Sequence, residues 1–149
     1  AQQLHYRRYL GLVGFGTVLL HISTSLLQLN SRFPPIWYRD NIWSITGAIL
    51  ATFIFLILAI TSIEKAIERL GSHKWKLIQR TGYIALLLVL IHIVLVANQR
   101  WQLWLSGKVD MPTSFVVFIF GAAVIIARII ALIVDQYKLR KGLLNKNNS

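Results

Sequence analysis

A chain of 149 residues that is 56% apolar, with a mean hydropathy of +0.60, is too hydrophobic for a soluble domain and too short to hold more than one bundle of membrane-spanning helices. Its net charge of +11 would suggest nucleic acid in a soluble protein, but the basic residues lie between apolar stretches, which excludes that partner in favour of a membrane. No cysteine is present, so disulfides, iron–sulfur clusters and thiol chemistry are excluded and any redox role needs a cofactor.

Four stretches, residues 9–29, 42–62, 81–97 and 113–134, approach the ~20 residues a helix needs to cross hydrocarbon. They predict an all-α integral membrane four-helix bundle, one transmembrane domain over residues 1–149. Arg7, Arg8, Lys65, Arg69, Lys74, Lys76, Arg80, Lys138, Arg140, Lys141 and Lys146 fall on one side, and Arg32, Arg39, Arg100 and Lys108 on the other. That asymmetry predicts both termini on the cytoplasmic side of a bacterial inner membrane or a thylakoid-type membrane. The basic face suits anionic lipid headgroups or an acidic partner.

The first span carries Gly11, Gly14 and Gly16, then His21, then Ser23, Thr24 and Ser25. Small residues in membrane helices mark close approach of another helix or of a flat cofactor, and the glycines alone do not choose between them. The loop over 30–41 holds Pro34, Pro35, Trp37 and Tyr38, read as a turn followed by interfacial aromatic anchors. Arg32 and Arg39 beside them, and Arg100 near Trp101 and Trp104 after the third span, are placed to neutralise acidic groups of a cofactor at that edge, or to be solvated among headgroups.

The second span, with Gly47, Ala48 and Ala51, has no ionisable residue before Glu64 and reads as scaffold. After it, Ile63, Ala66, Ile67 and Leu70 share one helical face, which predicts a continued interfacial helix ended by Gly71. In the fourth span Arg128 is placed to snorkel to the inner headgroups or to pair with Asp135. The asparagine-rich tail from Gly142 is expected to fray.

The third span contains His92. From Arg8 to His21 there are 13 steps and from Arg80 to His92 there are 12, so the two histidines differ in depth by only roughly 2 Å. An ionisable residue within a membrane helix is costly without a partner, so each histidine is expected either to serve a functional site or to hydrogen-bond to another helix. Two neutral imidazoles on facing helices can fill both axial positions of one haem iron, which then has no vacant position and passes single electrons. The expected acceptor for each second ring nitrogen is the carbonyl one turn back, at Thr17 or Leu88. A zinc site lacks a third and fourth ligand at that depth. Chlorophyll, needing one histidine per magnesium, remains the competing pigment. His5 and His73 fall in the inner flanks and read as solvated.

The run Arg7 to Leu12 followed by His21, together with Leu70-Gly71, Trp75, Ile78-Gln79-Arg80, Tyr83 and His92, resembles the ferric reductase-like transmembrane domain. Within it the likeness is closest to the haem-binding membrane subunit of the bacterial methionine sulfoxide reductase system, and more distant to NADPH oxidases and STEAP reductases. The resemblance implies a helical domain that carries b haems and moves electrons across a membrane, here reduced to a four-helix core without a flavin or nicotinamide domain. It carries over His21 and His92 as the outer haem pair. The histidine that the family commonly has thirteen residues before the latter is Gln79 here, and the position fourteen before His21 is Arg7, so one haem b is expected and not two.

The iron would then lie roughly 18 Å of helix rise from the inner edge, which makes a complete wire across the membrane within this chain unexpected. Electrons would arrive from a quinol or from other membrane or redox subunits. The alternative is an accessory subunit of a larger respiratory or photosynthetic complex, holding haem or chlorophyll structurally. No nucleotide-binding loop, activated nucleophile or paired carboxylates are present, so any oxidoreductase activity would belong to an assembly.

Overall fold

The computed structural model describes the backbone of residues 2–27 and 34–147 and the side chains of residues 11–27, 34–63, 65–138, 140 and 141. Arg32, the side chains of His5, Arg7, Arg8 and Lys146, and part of the loop after the first span lie outside the described residues. Within them every regular element is an α-helix: α1 (Gln2–Leu27), α2 (Pro35–Asp40), α3 (Ile42–Thr61), α4 (Glu64–Arg80), α5 (Gly82–Leu105) and α6 (Thr113–Asn147). Three helical stretches, Ile42–Thr61, Lys65–Leu105 and Thr113–Lys138, are long and apolar enough to cross a membrane, and Gly11–Leu27 is a shorter apolar helix. The chain divides into two compact units, Ala1–Asn98 and Gln99–Ser149.

In the first unit α1, α2 and α4 each pack on α3. Among the described residues, the buried apolar side chains are Ala51, Ala85 and Leu90, while large ones such as Leu20, Phe53 and Ile84 face outward. In water such a surface would aggregate; in hydrocarbon it matches the solvent, and the helices satisfy their own backbone groups. Helix association must then come from close packing of small side chains, because lipid tails are as apolar as leucine.

α3 and α5 supply that seam and run antiparallel. A Cβ added at Gly47 would lie 4.0 Å from the Leu88 carbonyl oxygen, and one at Gly82 would lie 3.2 Å from Leu58 Cδ1. Between these two crossings the buried Ala51 and Ala85 occupy the matching register. Ser44, Gly47 and Ala51 form one row on α3, three and four residues apart, and this small-residue row is what lets α5 come close.

Several boundaries differ from the sequence expectation. Pro35–Asp40 is a short helix, because Pro35 at its first turn needs no N–H donor and Trp37 N donates to the Pro34 carbonyl at 2.8 Å. α4 does not continue α3: the chain breaks at Ser62 and Ile63, the latter extended at φ −74° and ψ 140°. Gly71 ends the first half of α4 as expected, at φ 72° and ψ 159°, but a second helical segment follows at once and leads into α5.

In the second unit α5 runs on past residue 97 to Leu105, so Trp101 and Trp104 are helical. It stops at Gly107, where φ is 74°, with Lys108 N donating to Leu103 O and Gly107 N to Trp104 O, both at 2.9 Å. This left-handed cap is one that glycine adopts without strain. Trp101 meets Phe115 edge-on at 5.3 Å and donates its Nε1–H to Ser114 Oγ at 3.0 Å. α6 stays helical to Asn147, contrary to the expected fraying from Gly142, since the tail's leucines and lysines favour helix.

Candidate functional site

His92 is half-buried on α5, and its ring is held from α3. Nδ1 lies 3.1 Å from the Ser44 carbonyl oxygen and 2.9 Å from Ser44 Oγ. A carbonyl oxygen only accepts, so Nδ1 carries the ring proton and donates it to Ser44, which leaves the lone pair on Nε2. Holding one ring nitrogen by an outer acceptor and leaving the other bare is how a metal-ligating imidazole is oriented. The expected acceptor, the Leu88 carbonyl on the same helix, is not the one used. Its place is taken from α3 because the Gly47–Leu88 crossing brings α3 within reach of the ring one turn further along.

His21 is exposed on α1 and lies within electrostatic range of His92. The two histidines that the sequence singled out thus lie on helices that both adjoin α3. Around His21 the hydroxyls bond to their own helix: Thr24 Oγ1 donates to the carbonyls of Leu20 and His21, each at 3.0 Å, and Thr17 Oγ1 to Gly14 O at 2.7 Å. They tie down the turn that carries the imidazole. A Cβ added at Gly11, Gly14 or Gly16 would meet nothing within 4 Å, so these glycines do not serve packing against another described helix.

Arg39 and Arg100 are placed differently. Arg39 Nε lies 3.7 Å from Asp40 Oδ1, with both side chains largely exposed, which is a pair of little energetic weight. Arg100 is exposed on α5 in the second unit. His73 is exposed on α4, as expected, and Arg128 is half-buried on α6.

At the other end of the α3–α5 seam the polar side chains have another use. Trp75 Nε1 donates to the Thr61 carbonyl at 3.1 Å. The Gln79 amide lies 3.5 Å from the Leu58 carbonyl and 3.4 Å from the hydroxyls of Thr61 and Ser62. The last carbonyls of a helix lack intrahelical donors, and α4 folds back to supply them. Gln79 is thereby engaged in closing α3.

Among the described residues no three His, Asp or Glu side chains come together. An imidazole nitrogen with a free lone pair is the donor type that a porphyrin iron takes, so the chemistry of His21 and His92 suits that group. Ser44 is the residue that sequence reasoning missed, having read this span as scaffold. The threonines of α3 give their hydroxyls to their own helix, Thr46 to Ile42 O and Thr52 to Ala48 O, each at 2.8 Å. The available signal was a serine in the same row as Gly47 and Ala51, on the face where α5 comes closest.

Residues 1–90 match the ferric reductase like transmembrane component family, a stretch that includes His21, Ser44 and Gln79 and stops two residues before His92. Magnetosome protein MamZ of Magnetospirillum gryphiswaldense is 35% identical over 101 residues, covering 64% of this chain and 15% of that protein. Protein-methionine-sulfoxide reductase heme-binding subunit MsrQ of Azospira oryzae is 32% identical over 111 residues, covering 72% of this chain and 43% of that protein. The chain thus spans less than half the length of either relative. No solved structure matches it. With more than half of its residues matched and its apolar helices long enough to span a bilayer, this chain is a multi-pass integral membrane protein belonging to the ferric reductase like transmembrane component family.

Proposed function

We propose that the chain is a b-type cytochrome-like membrane protein that relays single electrons, with one haem held between His21 and His92 toward the outer side of the membrane. The observation that carries this reading is the imidazole of α5, protonated at Nδ1 toward Ser44 and bare at Nε2, within electrostatic range of the imidazole of α1. The name of the MsrQ relative, a heme-binding subunit, supports the same cofactor. Held by two imidazoles, a haem iron has no vacant position and exchanges one electron at a time.

The protein's own part is positional. α3 fixes the His92 ring through Ser44, the Thr24 hydroxyl stiffens the turn of His21, and the outward-facing leucines and isoleucines keep both helices in hydrocarbon. Arg39 and Arg100, in the segments assigned to the outer side, would neutralise carboxylates of the pigment. With Gln79 committed to the end of α3, electrons would enter from a quinol or from a neighbouring redox subunit rather than through a second haem in this chain.

The test is a visible spectrum of the purified protein with extraction of its pigment. The reading predicts one low-spin haem b per chain. Extraction of a magnesium tetrapyrrole, or of no pigment from protein isolated in its intact membrane assembly, would replace it by a structural pigment-binding or packing role. If haem is present, removing the subunit should slow electron transfer through the assembly while the remaining subunits stay together.

A further inference from the structure

Ser44 is one of two polar side chains buried among the described residues, at 2% exposure, with Ser62 at 6% the other. The two hydroxyls behave differently. Ser62 Oγ donates back to the Leu58 carbonyl of its own helix at 2.7 Å, the usual outcome for a serine in a membrane helix. Ser44 instead presents both its Oγ and its carbonyl oxygen to a single nitrogen of another helix, His92 Nδ1, at 2.9 and 3.1 Å.

One N–H shared between two acceptors on the same residue is doubly constrained. The carbonyl selects the tautomer, because only a protonated Nδ1 can face it. The hydroxyl is a second acceptor for the same N–H, so turning the ring about its Cβ–Cγ bond would lose both contacts. Together they fix both which nitrogen is offered and the plane in which it is offered.

We propose that Ser44 is a positioning residue for the axial ligand His92, and that its hydroxyl sets the orientation and basicity of that imidazole. The proposal rests on the reading of His92 as a haem ligand and adds to it a role for α3. An acceptor at Nδ1 pushes electron density toward Nε2, which strengthens the donor and favours the ferric over the ferrous state. Ser44→Ala removes the hydroxyl and keeps the carbonyl, so the tautomer and the ligand survive while the second acceptor is lost. Gly47 and Ala51 in the same row keep the helices close in either case, which separates this effect from a loss of packing.

The experiment compares wild type, Ser44→Ala, Ser44→Thr and Ser62→Ala by haem content, midpoint potential and low-temperature electron paramagnetic resonance. The expected result is full haem content in Ser44→Ala, a midpoint potential raised above wild type and displaced low-spin g values. Ser44→Thr, which restores a hydroxyl, should return both readouts toward wild type, and Ser62→Ala should leave both in place. A Ser44→Ala protein with wild-type potential and g values would overturn the proposal. So would an equal shift in Ser62→Ala, which would assign the effect to helix packing, or loss of haem from both Ser44 variants, which would make the residue purely structural. Absence of haem from the wild type, or its full retention in His92→Ala, would instead remove the underlying ligand assignment, and the two failures are thereby distinguishable.

Discussion

The two ends of the α3–α5 pair carry the same kinds of polar atom and use them in opposite ways. At one end Ser44 reaches across to His92 and leaves a ring nitrogen with a lone pair to spare. At the other end Trp75 and Gln79 reach back to the terminal carbonyls and hydroxyls of α3, and their donors are consumed there. An amide nitrogen and an indole N–H have no lone pair to give a metal, whereas an imidazole keeps one after making its hydrogen bond. A metal ligand is therefore expected at the Ser44–His92 end, where a ring nitrogen keeps its lone pair, and closure of α3 at the end where Trp75 and Gln79 bond.

The largest expected effect breaks the His92 end. His21→Ala or His92→Ala should abolish the haem spectrum, measured as haem per chain after purification, whereas variants at Trp75 and Gln79 should leave it unchanged. Stoichiometric haem in both single variants would contradict the assignment. Overpacking the seam between the two ends comes next. Ala85→Leu, at a position with 0% exposure, should destabilise the pair by about 1–3 kcal/mol in thermal or detergent-titration unfolding. Some haem loss should follow, since Ser44 and His92 would be pushed apart.

Smaller effects sharpen the Trp75–Gln79 end. Trp75→Phe removes the bond to the Thr61 carbonyl and should cost about 0.5–1.5 kcal/mol of stability with no spectral change. Gln79→Leu gives up only long contacts of 3.4–3.5 Å and should cost about 0.5 kcal/mol or less. Gln79→His puts an imidazole where the family resemblance would have one, and haem content should stay at one per chain, because no second ligand accompanies it. A second haem in that variant would show that the Gln79 end is a dormant site rather than a closure of α3.

The hydrophobic runs made the helical membrane fold legible, and composition with the family pattern made the class of protein legible too. Nearly equal spacing from Arg8 and Arg80 pointed to His21 and His92, because helix rise converts residue count into depth. Helix ends were less legible. α5 runs on to Leu105 because nothing before Gly107 interrupts it, and a polar stretch such as Asn98 to Arg100 ends a hydrophobic run without ending a helix. Ser44 was hidden for a different reason. Its partner is 48 residues away, and only the Gly47–Leu88 crossing, a matter of how two helices pack, decides which hydroxyl meets which ring.

The central claim is that His21 and His92 ligate one iron from opposite sides, and near-infrared magnetic circular dichroism of the oxidised protein tests it most directly. The account predicts the charge-transfer band of a low-spin ferric haem with two imidazole ligands, at one haem per chain. A high-spin spectrum, or one with a single imidazole and water, would contradict it.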